Sequence, residues 1–185
     1  MATATFQPTS RERYQAAIGE VCQRFGIVNK MAAPRITKVC LNMGVGRAIQ
    51  DGAILTTVTE HMTLLAGQRA VVTKTKKAVA NFRSRKGMKI GCRVTLRGAR
   101  MWAFLDKMIH IAIPRIRDFR GISPKGFDEA GNYNVGLAEQ ALFPEVVLEK
   151  LEHNQGLHIT ICFENGEPDR SRAVLQTIGM PFRER

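Results

Sequence analysis

Eleven Lys and Arg residues stand between Glu60 and Asp106 with no carboxylate among them: Arg69, Lys74, Lys76, Lys77, Arg83, Arg85, Lys86, Lys89, Arg93, Arg97 and Arg100. The rest of the chain carries 17 basic and 16 acidic residues, so nearly all of the +12 net charge sits in one central stretch. A solvated protein face normally interleaves Glu with its Lys and Arg. Complete exclusion of acid points instead to chemistry on a polyanion, in which ammonium and guanidinium groups neutralise phosphates. Asparagine, threonine and Phe82 are interspersed with the cations. Amides and hydroxyls address the 2′-hydroxyls and phosphates of folded RNA, whereas a sheet face without aromatic pairs offers no platform for stacking splayed bases.

Other residue sets that could do chemistry are weaker. Gly44-Val45-Gly46 lies between a strand pattern and a helix pattern, but Ile49 occupies the third glycine position of a dinucleotide fingerprint and no Walker lysine follows, so a tight turn is expected. Cys22, Cys40, Cys92 and Cys162 are far apart and contain no C-x-x-C, which reads as reduced thiols in a cytosol rather than a zinc site. His153 and His158 have no cysteine at ligand spacing. Glu149 and Glu152 are paired carboxylates at helical spacing and read as surface groups. No serine, histidine and acid assemble into a nucleophile motif, so no catalytic residue, metal or cofactor is expected. Downstream, Glu139, Glu145, Glu149, Glu152, Glu164 and Glu167 face only Lys150 between Gly136 and Glu167. That acidic part would repel RNA and suits either solvent or a basic protein.

These groups need a scaffold, and 185 residues suffice for one core that buries about 70 per cent of the unfolded surface. The composition, 44% hydrophobic and 24% charged, is that of a globular protein. No apolar run of about 18 residues could span a bilayer, and residues 1–10 lack the pattern of a signal peptide. Ser10 is the expected N-cap of a helix whose stripe is Tyr14, Ile18, Val21, Cys22 and Phe25, ending at Gly26. Residues 35–43 read as a strand, with Thr37, Val39, Leu41 and Met43 on one face and Lys38 and Asn42 on the other. A helix over Gly52–Ala66 stacks Ile54, Val58, Met62 and Leu65.

Strands are expected at 69–74 and 90–97. In the second, Cys92, Val94 and Leu96 alternate with Arg93, Thr95 and Arg97. Residues 75–89 form a long basic connection, of a length that compact domains seldom keep without a function, and are expected to be flexible. A helix over 99–113 turns Trp102, Leu105 and Ile109 inward before Pro114. Residues 115–134 read as loop, and Leu157, Ile159, Ile161 and Phe163 as a strand. Pro168 and Asp169 open a last helix that runs through Val174 and Ile178 to Gly179. The expected class is α+β, one domain over 1–185, with a largely antiparallel sheet and helices on one face.

Several segments are long and idiosyncratic: Arg35-Ile-Thr-Lys-Val-Cys-Leu-Asn-Met-Gly-Val-Gly, Ala66-Gly-Gln-Arg, Gly91-Cys-Arg-Val-Thr-Leu-Arg-Gly, Ile113-Pro-Arg-Ile-Arg-Asp-Phe-Arg-Gly, Gly131-Asn-Tyr and Phe143-Pro-Glu. In order and spacing they resemble the bacterial large-subunit ribosomal protein "L five" family, the 5S rRNA binders of the central protuberance. The resemblance covers nearly the whole chain. It implies a non-catalytic component of the cytoplasmic ribosome that contacts 5S rRNA, 23S rRNA, the P-site tRNA and other 5S-associated ribosomal proteins. By that resemblance Lys38, Asn42, Gln68 and Thr95 correspond to 5S rRNA contacts, joined on the same polar face by Arg93 and Arg97. The loop bearing Lys74, Lys76, Lys77, Asn81, Arg83, Arg85 and Lys86 corresponds to the part that reaches the tRNA elbow. Phe143, Glu145 and Glu149 fall in the part that meets a basic small-subunit head protein across an inter-subunit bridge. Residues 1–10 and those after Arg183 follow no family pattern. A stand-alone RNA chaperone, a translation factor or an RNA-modifying enzyme would be the alternatives.

Overall fold

Period-two alternation of apolar and polar residues is clearest in two segments, and both are strands. In the computed structural model, which describes residues 9–49, 52–146 and 155–183, β1 spans Arg35–Gly44 and β3 spans Lys89–Leu96. Val39, Leu41 and Met43 of β1 are fully buried, as are Cys92 and Leu96 of β3, with Val94 at 3% exposure. With β2 (Val71–Lys74), β4 (Tyr133–Leu137) and β5 (Leu157–Glu164) they form one five-stranded antiparallel sheet in the order β2-β3-β1-β5-β4. The described residues also hold four α-helices: α1 (Thr9–Arg24), α2 (Gly52–Ala66), α3 (Gly98–Lys107) and α4 (Pro168–Ile178). The class is α+β, as the alternation and helix signals predicted.

Two compact units divide the chain. One draws on Met1–Lys38, Arg97–Asn134 and Ile161–Arg185, the other on Val39–Leu96 and Val135–Thr160. In the second unit α2 lays Leu55, Val58, Met62 and Leu65 on β3, with Leu55 in the stack where Ile54 is expected and Ile54 half-buried, so that face of β3 is sealed from water. The Thr59 hydroxyl meets the Cys92 thiol beneath α2, and burial pushes that thiol up to about 11. Cys92 is therefore a packing residue, not a reactive one.

In the first unit α1 packs on α3 and α4, and the Tyr14 and Trp102 rings lie 4.9 Å apart. Ser10 is not the expected cap at a helix boundary. It lies inside α1, fully buried, and its N–H donates to Asp106 Oδ1 of α3 at 2.8 Å while its hydroxyl donates to the same oxygen. One orphan backbone donor of the helix start is thus met by a carboxyl oxygen 96 residues away rather than by a local cap. We expect Asp106→Ala to cost roughly 1–3 kcal/mol, because it strands two buried donors that its carboxyl oxygen now satisfies. Asp106→Asn, which keeps an acceptor oxygen, should cost less. A denaturant midpoint unmoved by the alanine would show that the pair contributes nothing.

α3 gives way at Met108–Ala112 to a wider π turn and then to a tight turn over Ile113–Arg115, so the single helix expected over 99–113 is three successive pitches. Trp102, Leu105 and Ile109 are nonetheless buried as expected. α4 ends at Gly179, whose φ of 106° closes the helix with a left-handed residue. Strand β4 has no counterpart among the sequence expectations. It begins at Tyr133, fully buried between Phe127 (ring centroids 4.6 Å apart) and Phe182 (5.3 Å), with its hydroxyl donating to the Ser123 carbonyl at 2.9 Å. Those contacts order the stretch read as loop.

Candidate nucleic-acid interface

Residues directly opposite one another in an antiparallel pair share a face. Asn42 of β1 stands opposite Arg93 of β3, Cys40 opposite Thr95, and Gly44 opposite Gly91. β2 extends the rows, with Val71 opposite Arg93 and Thr73 opposite Gly91. The face away from α2 therefore carries Val71–Arg93–Asn42 as one row and Thr73–Gly91–Gly44 as the next, with Cys40 and Thr95 beyond. None of these residues is acidic. Asn42, Arg93 and Thr95 are exposed. Gln68 is half-buried, and its Nε2 donates to the Thr95 carbonyl at 3.3 Å, which fixes the amide beside the row.

Four of the six residues expected on the 5S rRNA face, Asn42, Gln68, Arg93 and Thr95, thus lie together in the second unit. Lys38 and Arg97 belong to the first. Lys38 is half-buried, and Arg97 is the N-cap residue of α3 rather than the last residue of a strand.

The face also holds a pair of facing glycines that the sequence expectations do not include. Gly44 and Gly91 leave a window without side chains in the middle of the polar face. At Gly91 a Cβ would sit 2.5 Å from the Met43 carbonyl oxygen and 3.1 Å from Thr73 Oγ1, so only glycine lets the strands meet there. Glycine inside an alternating strand is itself a signal of close backbone approach. Gly91→Ala should lower the thermal midpoint through roughly 1–3 kcal/mol of overpacking against backbone. Gly44→Ala, where a Cβ meets nothing within 4 Å, should fold normally and so separate steric loss at the face from loss of stability.

The basic connection is more ordered than a flexible segment. Thr75 N–H donates to Met88 O at 2.9 Å and Gly87 N–H to Thr75 O at 3.0 Å. Val79 and Ser84 exchange two further backbone bonds, and a single tight turn at Ala80–Phe82 ends on Arg83 with φ of 50°. The result is a hairpin whose flank and tip expose Lys74, Lys76, Lys77, Asn81, Arg83, Arg85 and Lys86. Phe82, 75% exposed, stands among them. Cations around an exposed ring can hold a nucleic-acid backbone and stack on one base.

The acidic part is a poorer surface than its composition suggested. Phe143 is fully buried, which corrects the expectation of a surface contact: its ring is a core residue. Glu145 is half-buried, and Glu149 lies outside the described residues, as do Glu152 and His153. Glu167 pairs with Arg170 of its own helix start at 3.1 Å. Among the described residues no three His, Cys, Asp or Glu groups could hold a metal ion, and no helix is long and apolar enough to cross a membrane.

Comparison with known proteins identifies relatives along most of the chain. Residues 29–85 match the family described as ribosomal protein L5, and residues 89–182 match the family described as the C-terminus of that same ribosomal protein family. The large ribosomal subunit protein uL5 of Desulfotalea psychrophila is 51% identical over 160 residues, covering 86% of this chain and 89% of that protein. The protein of the same name from Geobacter sulfurreducens is 48% identical over 174 residues, covering 94% of this chain and 97% of its own.

Proposed function

This chain belongs to the ribosomal protein L5 family, and from that premise we propose that it holds 5S rRNA in the large ribosomal subunit through the acid-free face of β2, β3 and β1. It is a structural constituent of the large subunit in the cytoplasmic ribosome and not an enzyme. One observation carries the reading of the face: Asn42 and Arg93 stand side by side, exposed, on a surface without a carboxylate. A guanidinium reaches a phosphate bidentately, and an amide both donates and accepts at a 2′-hydroxyl or base edge. Gln68 and Thr95 complete the site within the second unit. The face lacks exposed aromatic pairs, so it suits helical RNA read by shape rather than splayed bases.

The hairpin over 75–89 is a separate arm. Its tip suits the backbone of the P-site tRNA, with 23S rRNA as a neighbour. Chemical footprinting of the purified protein on 5S rRNA tests the main reading. Protection of one contiguous helical segment is expected. Protection no better than on an unrelated rRNA fragment of equal length would sink it.

The acidic part would meet a basic protein of the small-subunit head. Exposed ion pairs are each worth only about 0.2–1 kcal/mol, so a single reversal should do little. Glu145→Lys combined with Glu149→Lys should weaken subunit joining in sucrose gradients while leaving 5S rRNA incorporation intact. Normal joining with impaired incorporation would place the acidic groups inside the large subunit instead.

A further inference from the structure

A cavity of about 450 Å³ in the first unit brings together three arginines that are far apart in sequence. Arg11 comes from the first turn of α1, Arg35 from the start of β1, and Arg97 from the N-cap of α3. All three are exposed, and none forms an ion pair with a described residue. The lining contains one carboxylate, Glu164, also outside any such ion pair. Three guanidinium groups around one opening repel each other, and a surface evolved only for solubility would separate them or interleave acid.

The walls favour the same ligand. Gly98, the first residue of α3, lines the cavity, and the first turn of α3 contains no acidic residue. Arg97 carries only donors, so its side chain cannot cap the N–H groups of that turn. The positive end of the helix dipole therefore adds to the guanidinium field. Tyr14 and Trp102 also line the cavity and hold each other at 4.9 Å, and the Tyr14 hydroxyl donates to the Pro34 carbonyl at 3.5 Å. Those contacts make the wall rigid, so the arginines are presented on a fixed frame.

We infer that this cavity is a second RNA-backbone site that takes phosphate, separate from the sheet face, and this inference rests on the reading of the chain as an rRNA binder. It gives the first unit a binding role that the sheet-face reading leaves to the second. Phosphates of 5S rRNA and of the longer large-subunit rRNA share one chemistry, and two measurements tell them apart. The first is affinity of the full-length protein for isolated 5S rRNA across a salt series. The second is retention of the protein on purified large subunits washed at rising salt.

Arg11→Gln with Arg35→Gln should weaken one of these about tenfold and reduce its log–log salt slope by roughly 0.7–0.9 for each phosphate lost. Glu164→Gln, which removes the opposing charge, should strengthen the same measurement about two- to threefold. A gain of function is an outcome that misfolding cannot imitate. Loss in the 5S measurement assigns the phosphate to 5S rRNA, and loss confined to retention assigns it to the longer rRNA. Salt slopes unchanged in both, with no gain from Glu164→Gln, would overturn the inference. A wild-type chain that failed to distinguish 5S rRNA from unrelated RNA would sink the functional reading instead, and the retention measurement would still judge the cavity.

Discussion

Replacing Asn42 and Arg93 together with alanine should weaken 5S rRNA binding by roughly two orders of magnitude, given about 1–3 kcal/mol for each buried RNA group left without its partner. The two side chains are directly opposite across β1 and β3, so they share contacts, and their losses should add to less than the sum. Both point away from the core and both are exposed, so the fold should not notice: outward substitutions of this kind usually stay within about 0.5 kcal/mol of stability. The single substitutions should differ in kind. Arg93→Ala removes a cation and should reduce the salt slope by roughly 0.7–0.9, whereas Asn42→Ala should lower affinity with the slope unchanged. Filter binding of the two single variants and the double across a salt series measures all of this. Affinity indifferent to the double substitution, at an unchanged melting temperature, would remove the face from consideration.

What the residues revealed in advance follows the range over which each signal acts. The alternation in β1 is local, and it placed Val39, Leu41 and Met43 inside and Asn42 outside. The proline start and glycine stop of α4 are local too, and they hold. Thr37 is only half-buried, because its hydroxyl turns to the Cys162 carbonyl at 3.2 Å. Ile36, one position earlier, is 5% exposed, so strict alternation fails at the strand's start.

The misses are contacts between distant residues. Asp106 reads as an ordinary helix-surface acid until Ser10 is brought to it. Tyr133 becomes a core residue only when Phe182 folds back on it, and β4 with it. Phe143 sits in an acidic neighbourhood, which suggested surface, yet that neighbourhood says nothing about where one ring points. Arg11, Arg35 and Arg97 form no motif in the chain at all. Charge exclusion between Glu60 and Asp106, by contrast, needs no folding to be seen, because it is a property of one contiguous stretch of sequence.

Cutting the basic hairpin back to a two-residue Asn-Gly turn between Thr75 and Met88 should leave the fold intact and strip the chain of its proposed hold on tRNA. Thr75 N–H already donates to the Met88 carbonyl at 2.9 Å, so the two chain ends are close enough for a short turn to join them. Nothing between them is buried; Ser84 alone is half-buried, and the hairpin's order comes from its own backbone pairing. Its removal takes away Lys76, Lys77, Arg83, Arg85 and Lys86 together with Phe82, while Arg93, Asn42 and Thr95 stay in place. The melting temperature should move little, and isolated 5S rRNA should bind within about twofold of the parent, since no sheet-face residue is lost. Ribosomes carrying the shortened chain should hold P-site tRNA at least about tenfold more weakly, with a shallower dependence on salt. Phe82→Ala alone isolates the ring: a base stacked on it is worth roughly 1–3 kcal/mol, and that loss should not alter the salt slope. Weakened binding to isolated 5S rRNA in the shortened chain would mean that hairpin and face are one site. Unaltered tRNA retention would mean that the hairpin's cations serve a different RNA.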